Sequence, residues 1–255
     1  MVRNGTLVGL LVALGSLVSR SGAEAQVNNI SWSGLVLKSV NLDQATLPTT
    51  FTAVSGKWKQ PVVTCPVDNA RVSFWVGIDG SGTSTVEQTG TVAVCSAANK
   101  PPVYRAFWEM FVPNNKSLGG QNLTISPGDI VEASVNYAND SYELKLSDTT
   151  SGHSLSTTQA CSADLVCKRG TAEWIVERPG SGRYPLAAFG TVEFTNLEVK
   201  SSGATPTVSM ANMVKTGRAL SVCSTTSPPR NALSDSSYPI ADLANAINCK
   251  WLAAE

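Results

Sequence analysis

The chain has 255 residues, of which 15% are charged, and its 19 basic residues balance its 19 acidic ones. An average globular protein is about 25% charged, and a neutral chain this poor in charge has no basic field for nucleic acid or an anionic membrane surface. The only histidine and six cysteines without a CxxC spacing argue against a zinc site, so no metal or other cofactor is expected.

Residues 1–25 read as a signal peptide. Arg3 gives a positive start, residues 7–18 form an apolar run, and Ala23-Glu24-Ala25 offers a small-residue cleavage site. The run is shorter than the ~20 residues of a membrane span. A secreted protein, free of the membrane after signal removal, is the expectation. Without Arg3, Arg20 and Glu24 the rest of the chain carries 17 basic and 18 acidic residues, a net charge of −1. All six cysteines, at 65, 95, 161, 167, 223 and 249, follow this segment. In a secreted chain they read as three disulfides, with 15 conceivable pairings.

From there the pattern is period two. RVSFWVGI, VYRAFWEMF, IVEASVNY, YELKLS, TAEWIV and GTVEFTNLEV are strand candidates separated by Gly, Pro, Asn and Asp. In IVEASVNY, residues 130–137, Val131, Ala133, Val135 and Tyr137 share one face and the polar residues the other. No helical period falls between these runs, which points to an antiparallel sandwich or barrel rather than βαβ units. Residues 26–200 are expected to form this domain. Residues 201–255 read as an extension, part strand over VSMANMVKTGRALSV and part short helix, with helical spacing at Leu243, Ile247 and Trp251. Cys223 and Cys249 are expected to staple it. His153 lies in TTSGHSLSTT, which reads as a turn and not as a catalytic centre.

The chemistry-bearing segment is TAEWIVERP, residues 171–179. In a strand Glu173, Ile175 and Glu177 point one way, and Ala172, Trp174 and Val176 the other. At ~3.4 Å per residue the two glutamate α-carbons stand ~13–14 Å apart. They cannot act as a pair, and at least one needs a partner from another strand. Candidates are Trp75 and Asp79 in FWVGIDG (74–80), Gln88 in VEQTG (86–90), and Arg105, Phe107, Glu109 and Phe111 in YRAFWEMF (104–111). A face mixing carboxylates with aromatics suits the inside of a concave cleft.

The order WSG (32–34), FTAVSGKWKQP (51–61), FWVGIDG, EQTG, YRAFWEMF, ISPGD (125–129), TAEWIVERP and FGTVEFTN (189–196) resembles the glutamic peptidases, the eqolisin family. The resemblance covers most of the chain beyond the signal segment and implies two packed, curved antiparallel sheets, a concanavalin A-like jelly roll. It implies a secreted acid endopeptidase, expected as a monomer, acting on protein or peptide substrates. It places the catalytic dyad at Gln88 and Glu177, with Trp75, Asp79, Phe107, Glu109 and Glu173 as supporting or cleft residues. A glutamine can donate N–H to an oxyanion, and a glutamate beside a water can take its proton and return it to the leaving nitrogen.

Three departures from the family pattern stand out. Val92 replaces an aspartate four residues after the dyad glutamine. Where the family pattern ties the loop after GIDG by a cysteine, this chain has Thr83 nearby, and Cys95 is expected to do the tying to Cys161 or Cys167 instead. WEMFVP replaces a more aromatic segment. Two rivals remain: a glycoside hydrolase using Glu109 and Glu177, which would leave Gln88 idle, and an inactive secreted binding sandwich.

Overall fold

The structure, a computed structural model, describes residues 25–112, 115–120, 122–161, 167–226 and 246–253. The signal segment, Ala25 excepted, and Leu243 lie outside these residues. Fifteen strands follow one another: β1 (Ala25–Asn29), β2 (Trp32–Lys38), β3 (Thr49–Lys59), β4 (Arg71–Ile78), β5 (Val86–Val94), β6 (Val103–Val112), β7 (Asn115–Gly119), β8 (Ile130–Ala138), β9 (Ser141–Asp148), β10 (His153–Ala160), β11 (Thr171–Glu177), β12 (Thr191–Gly203), β13 (Thr207–Lys215), β14 (Arg218–Thr225) and β15 (Ala246–Trp251). The described residues contain no helix.

All strands join one sheet in the order β10-β9-β8-β3-β12-β15-β14-β13-β2-β11-β4-β5-β6-β7. Every pairing along this path is antiparallel, and β1 adds a parallel strand to β13. The sheet doubles back so that β3, β8 and β9 lie against β11, β4 and β5. The core between these layers holds Leu35, Leu37, Phe74, Val76, Trp174 and Val176 from one side and Phe51, Val54, Trp58, Val135 and Leu144 from the other. The Trp174 indole N–H crosses the core to donate to the Ser55 carbonyl at 2.7 Å.

Burial explains how the strands read in sequence. β8 and β12 alternate buried and open positions because one face meets solvent. β4 and β11 are buried almost throughout. Their second face forms the floor of a cleft, so the apolar pattern runs nearly unbroken.

The C-terminal segment departs from expectation in two ways. Lys200, the expected end of the sandwich, lies inside β12, and β13, β14 and β15 belong to the same sheet, joining the layer of β3 to that of β2. Residues 246–251 form a strand, not a helix. Ile247 and Cys249 face inward while Lys250 is exposed, and pairing to β12 and β14 satisfies the backbone. The spacing of Ile247 and Trp251 fits either period, and tertiary pairing decides it.

Cys223 opposes Cys249 in register, with α-carbons 4.1 Å apart, and the two form the expected disulfide. The expected link from Cys95 to Cys161 or Cys167 is corrected. Cys95 bonds to Cys65, and Cys161 bonds to Cys167. The backbone brings the first pair together: Cys95 N–H donates to the Ala70 carbonyl and Asn99 N–H to that of Cys65. His153 is also corrected. It opens β10, exposed on the outermost strand, after the turn that precedes it.

The Cys223–Cys249 bridge closes a loop of sequence separation 26 at the seam between layers. Replacing both cysteines by serine is expected to lower unfolding stability by about 2–4 kcal/mol, read as a lower denaturant midpoint. An unchanged midpoint would show that strand pairing alone holds the seam.

Candidate active site

Side-chain alternation presents one set of residues from β2, β11, β4, β5 and β6 to the core and the other set to the cleft. The cleft, about 790 Å³, is lined by Trp32, Ser73, Gln88, Phe107, Glu109 and Glu177 among others. Its floor is the apolar group Val36, Trp75, Val86, Phe107 and Ile175.

Two glycines make room for Trp75. Gly90 lies opposite it in register, and a β-carbon at Gly90 would stand 2.6 Å from the Trp75 β-carbon. A β-carbon at Gly77 would come within 2.9 Å of the indole ring. With both side chains absent the indole settles on the floor, steadied by Trp32, whose ring meets it edge-on at a centroid distance of 5.0 Å. Its Nε1–H donates to Glu177 Oε2 at 2.9 Å. One strand further, Gln88 opposes Glu109 in register, and Gln88 Nε2 donates to Glu109 Oε2 at 3.0 Å. A carboxylate acceptor fixes which end of the amide carries the hydrogens and leaves a second N–H available. Gln88 is 5% exposed and Glu109 9%, so both act where water screens weakly.

The structure thus gathers Trp75, Gln88, Phe107, Glu109 and Glu177 in one cleft. Asp79 and Glu173 are placed differently: both are fully buried and neither lines it. Asp79, in the left-handed conformation that aspartate tolerates (φ 63°), accepts the backbone N–H groups of Arg169 and Gly170 at 2.6 and 2.7 Å. It clamps the entry to β11 to the end of β4. Glu173 lies opposite Gly77 and Val36, under the loop that follows Gly80. Thr83 holds that loop, its hydroxyl accepting the Gly80 N–H at 2.6 Å and donating to the Thr85 carbonyl at 3.2 Å.

One residue escaped the sequence reading. Glu87 points from β5 to the core side and is fully buried. Its parity, opposite to Gln88, was the available signal. Burial pushes its carboxyl well above the ordinary range, and the charge of Asp79 adds to this. Burial likewise raises Glu173 and, less completely, Asp79, whose backbone donors pull back. Neither oxygen of Glu87 or of Glu173 has a hydrogen-bond partner of ordinary geometry, as suits the protonated form.

The sign for stability follows. A carboxyl whose pKa is higher folded than unfolded contributes fully below its unfolded value, near 4.3 for glutamate. Its contribution is lost as pH rises towards the folded value, by about 1.4 kcal/mol per pH unit for each group. The denaturant midpoint is therefore expected to fall as pH rises above about 4, and the fall should flatten in Glu87→Gln. A midpoint constant across this range would show these carboxyls to be ionised in the fold. Glu173→Gln, outside the cleft, is expected to retain appreciable activity, checked by turnover.

A doubled antiparallel sheet with a glutamine and glutamates in its concave face defines a class of carboxylate-bearing sandwich. Residues 30–234 match the Peptidase A4 family, and the chain belongs to that family. It is 33% identical over 137 residues to aspergillopepsin-2 of Aspergillus niger, a match covering 52% of this chain and 47% of that protein. The chain thus spans about half the length of that curated relative. Among solved structures, scytalido-glutamic peptidase with a peptide-based transition-state analogue superposes with a TM-score of 0.65 at 22% identity, over 87% of this chain and 98% of the other. Aspergilloglutamic peptidase from Aspergillus niger gives 0.56 at 24%, over 72% and 99%. These likenesses establish the fold as that of the eqolisin sandwiches.

Proposed function

We propose that the protein is a secreted acid endopeptidase in which Glu177 is general base and acid and Gln88 the oxyanion donor. The observation that carries this is the separate anchoring of the two groups in one cleft, Glu177 by the Trp75 indole and Gln88 by Glu109. Family membership supports the reaction class. Three disulfides suit an extracellular setting.

A peptide lies across the floor with its scissile carbonyl towards Gln88. Water held by Glu177 attacks the carbonyl carbon, and its proton passes to the Glu177 carboxylate. The carbonyl oxygen becomes an oxyanion and takes the second N–H of Gln88, whose amide needs no reorganisation because Glu109 already holds it. Collapse breaks the C–N bond as Glu177 returns the proton to the nitrogen. The products are a carboxylic acid and an amine, and no covalent intermediate forms. Trp75 keeps Glu177 aimed at the water. The glycosidase alternative gives Gln88 no task and is not favoured by any contact in the cleft.

The test is incubation of purified protein with an unfolded protein substrate across acid pH, with and without a chelator and a serine-hydroxyl reagent. Cleavage in acid indifferent to both additives is expected. Intact substrate at every pH, or cleavage abolished by either additive, would contradict the proposal.

A further inference from the structure

The cleft continues past the dyad. On the same face of β5, beyond Gln88 and Gly90, come Val92 and Val94. Arg105 of β6 opposes Val92, and Arg71 of β4 opposes Val94. Two guanidinium side chains therefore flank β5 from either side, and both line the cleft. The described cleft residues beside them, Ser73, Val92, Val94, Ser96 and Val103, are Ser and Val.

Arg71 is held in place. Its guanidinium lies 3.6 Å from the centroid of the Tyr184 ring. Its backbone N–H donates to the Pro185 carbonyl, and its carbonyl accepts from Ala187 N–H. Its Nε is buried without a hydrogen-bond partner. Arg105 is exposed on the cleft rim. The carboxylates Glu109 and Glu177 and the apolar residues Phe111 and Leu118 also line the cleft. Val92 stands four residues along the strand from Gln88, ~13–14 Å, a distance an extended peptide covers in about four residues.

We propose that Arg71 and Arg105 form an anion subsite selecting peptides that carry a carboxylate several residues from the scissile bond. This rests on the peptidase reading above. A guanidinium fork matches a carboxylate in geometry as well as charge. Beside the scissile bond the same carboxylate meets Glu109 and Glu177 and is disfavoured. The carboxylate is supplied by an acidic side chain or by the peptide's own C-terminus.

The test uses internally quenched peptides sharing one scissile bond. Glutamate is scanned through each position against a matched glutamine, with C-termini free or amidated, at about pH 5, where a glutamate side chain is mostly ionised. Wild type is expected to prefer Glu over Gln by about tenfold in kcat/KM at a remote position and to disfavour Glu next to the scissile bond. In Arg105→Gln, and fully in Arg71→Gln with Arg105→Gln, the remote ratio should fall to about one, while Arg105→Lys keeps part of it. A preference for the free over the amidated terminus that Arg105→Gln removes would identify the chain end as the carboxylate. A ratio near one at every position and both termini in wild type, or a preference surviving the double substitution, overturns the subsite while cleavage leaves the peptidase reading standing. If wild type cleaves none of the peptides, both fail.

Discussion

Replacing Glu177 by glutamine is expected to reduce turnover by about 10²–10⁴-fold, the contribution of a positioned general base. An amide can still accept the Trp75 N–H, so the cleft keeps its shape. It cannot take a proton from water or return one to the leaving nitrogen. Because the substitution preserves volume, the variant should unfold at a midpoint close to that of wild type, which separates lost chemistry from lost structure. Normal turnover in Glu177→Gln with an inactive Glu173→Gln would move the catalytic carboxylate to the other glutamate. Normal turnover in both would remove TAEWIVERP from the chemistry.

The second large effect is expected at Gln88. Truncation to alanine removes the proposed oxyanion donor and should cost about 10²–10³-fold in kcat. The loss should fall mainly on kcat rather than KM, since the N–H contact strengthens only as the carbonyl oxygen gains charge. Removing Gln88 also leaves Glu109 without the amide that donates to it. Glu109→Gln is the informative companion. It keeps an acceptor for Gln88 but no longer dictates the amide's orientation. A Gln88→Ala variant with a raised KM and normal kcat would make the glutamine a binding residue only.

Much of this site was legible because strands alternate strictly. Parity alone put Glu177, Trp75, Gln88 and Glu109 on one side of their strands. Family order then placed those sides together, and the structure brings them into one cleft. Parity could not separate Glu173 from Glu177. They share a face, but the loop after Gly80 covers only the first, and a covering loop leaves no periodic trace in the strand beneath it. Asp79 shares a strand face with Trp75, yet its left-handed backbone turns it away into a backbone clamp. The tail failed for a related reason. Ile247 and Trp251 satisfy a helical and a strand period alike, and only pairing with β12 and β14 decides. Cysteine pairing likewise depended on which loops meet. Only the Cys223–Cys249 bridge could be inferred, since both residues lay in a segment with no other staple.

The claim that Glu177 and Gln88 act on one tetrahedral centre is tested most directly by a crystal structure with a peptide analogue carrying a tetrahedral diol or equivalent at the scissile position. The account predicts one oxygen of that centre ~2.7–3.1 Å from Gln88 Nε2. The other should lie within ~2.6–3.2 Å of a Glu177 carboxylate oxygen, with the Trp75–Glu177 bond retained. A tetrahedral centre bound elsewhere in the cleft, or one whose oxygens reach neither side chain, would contradict it.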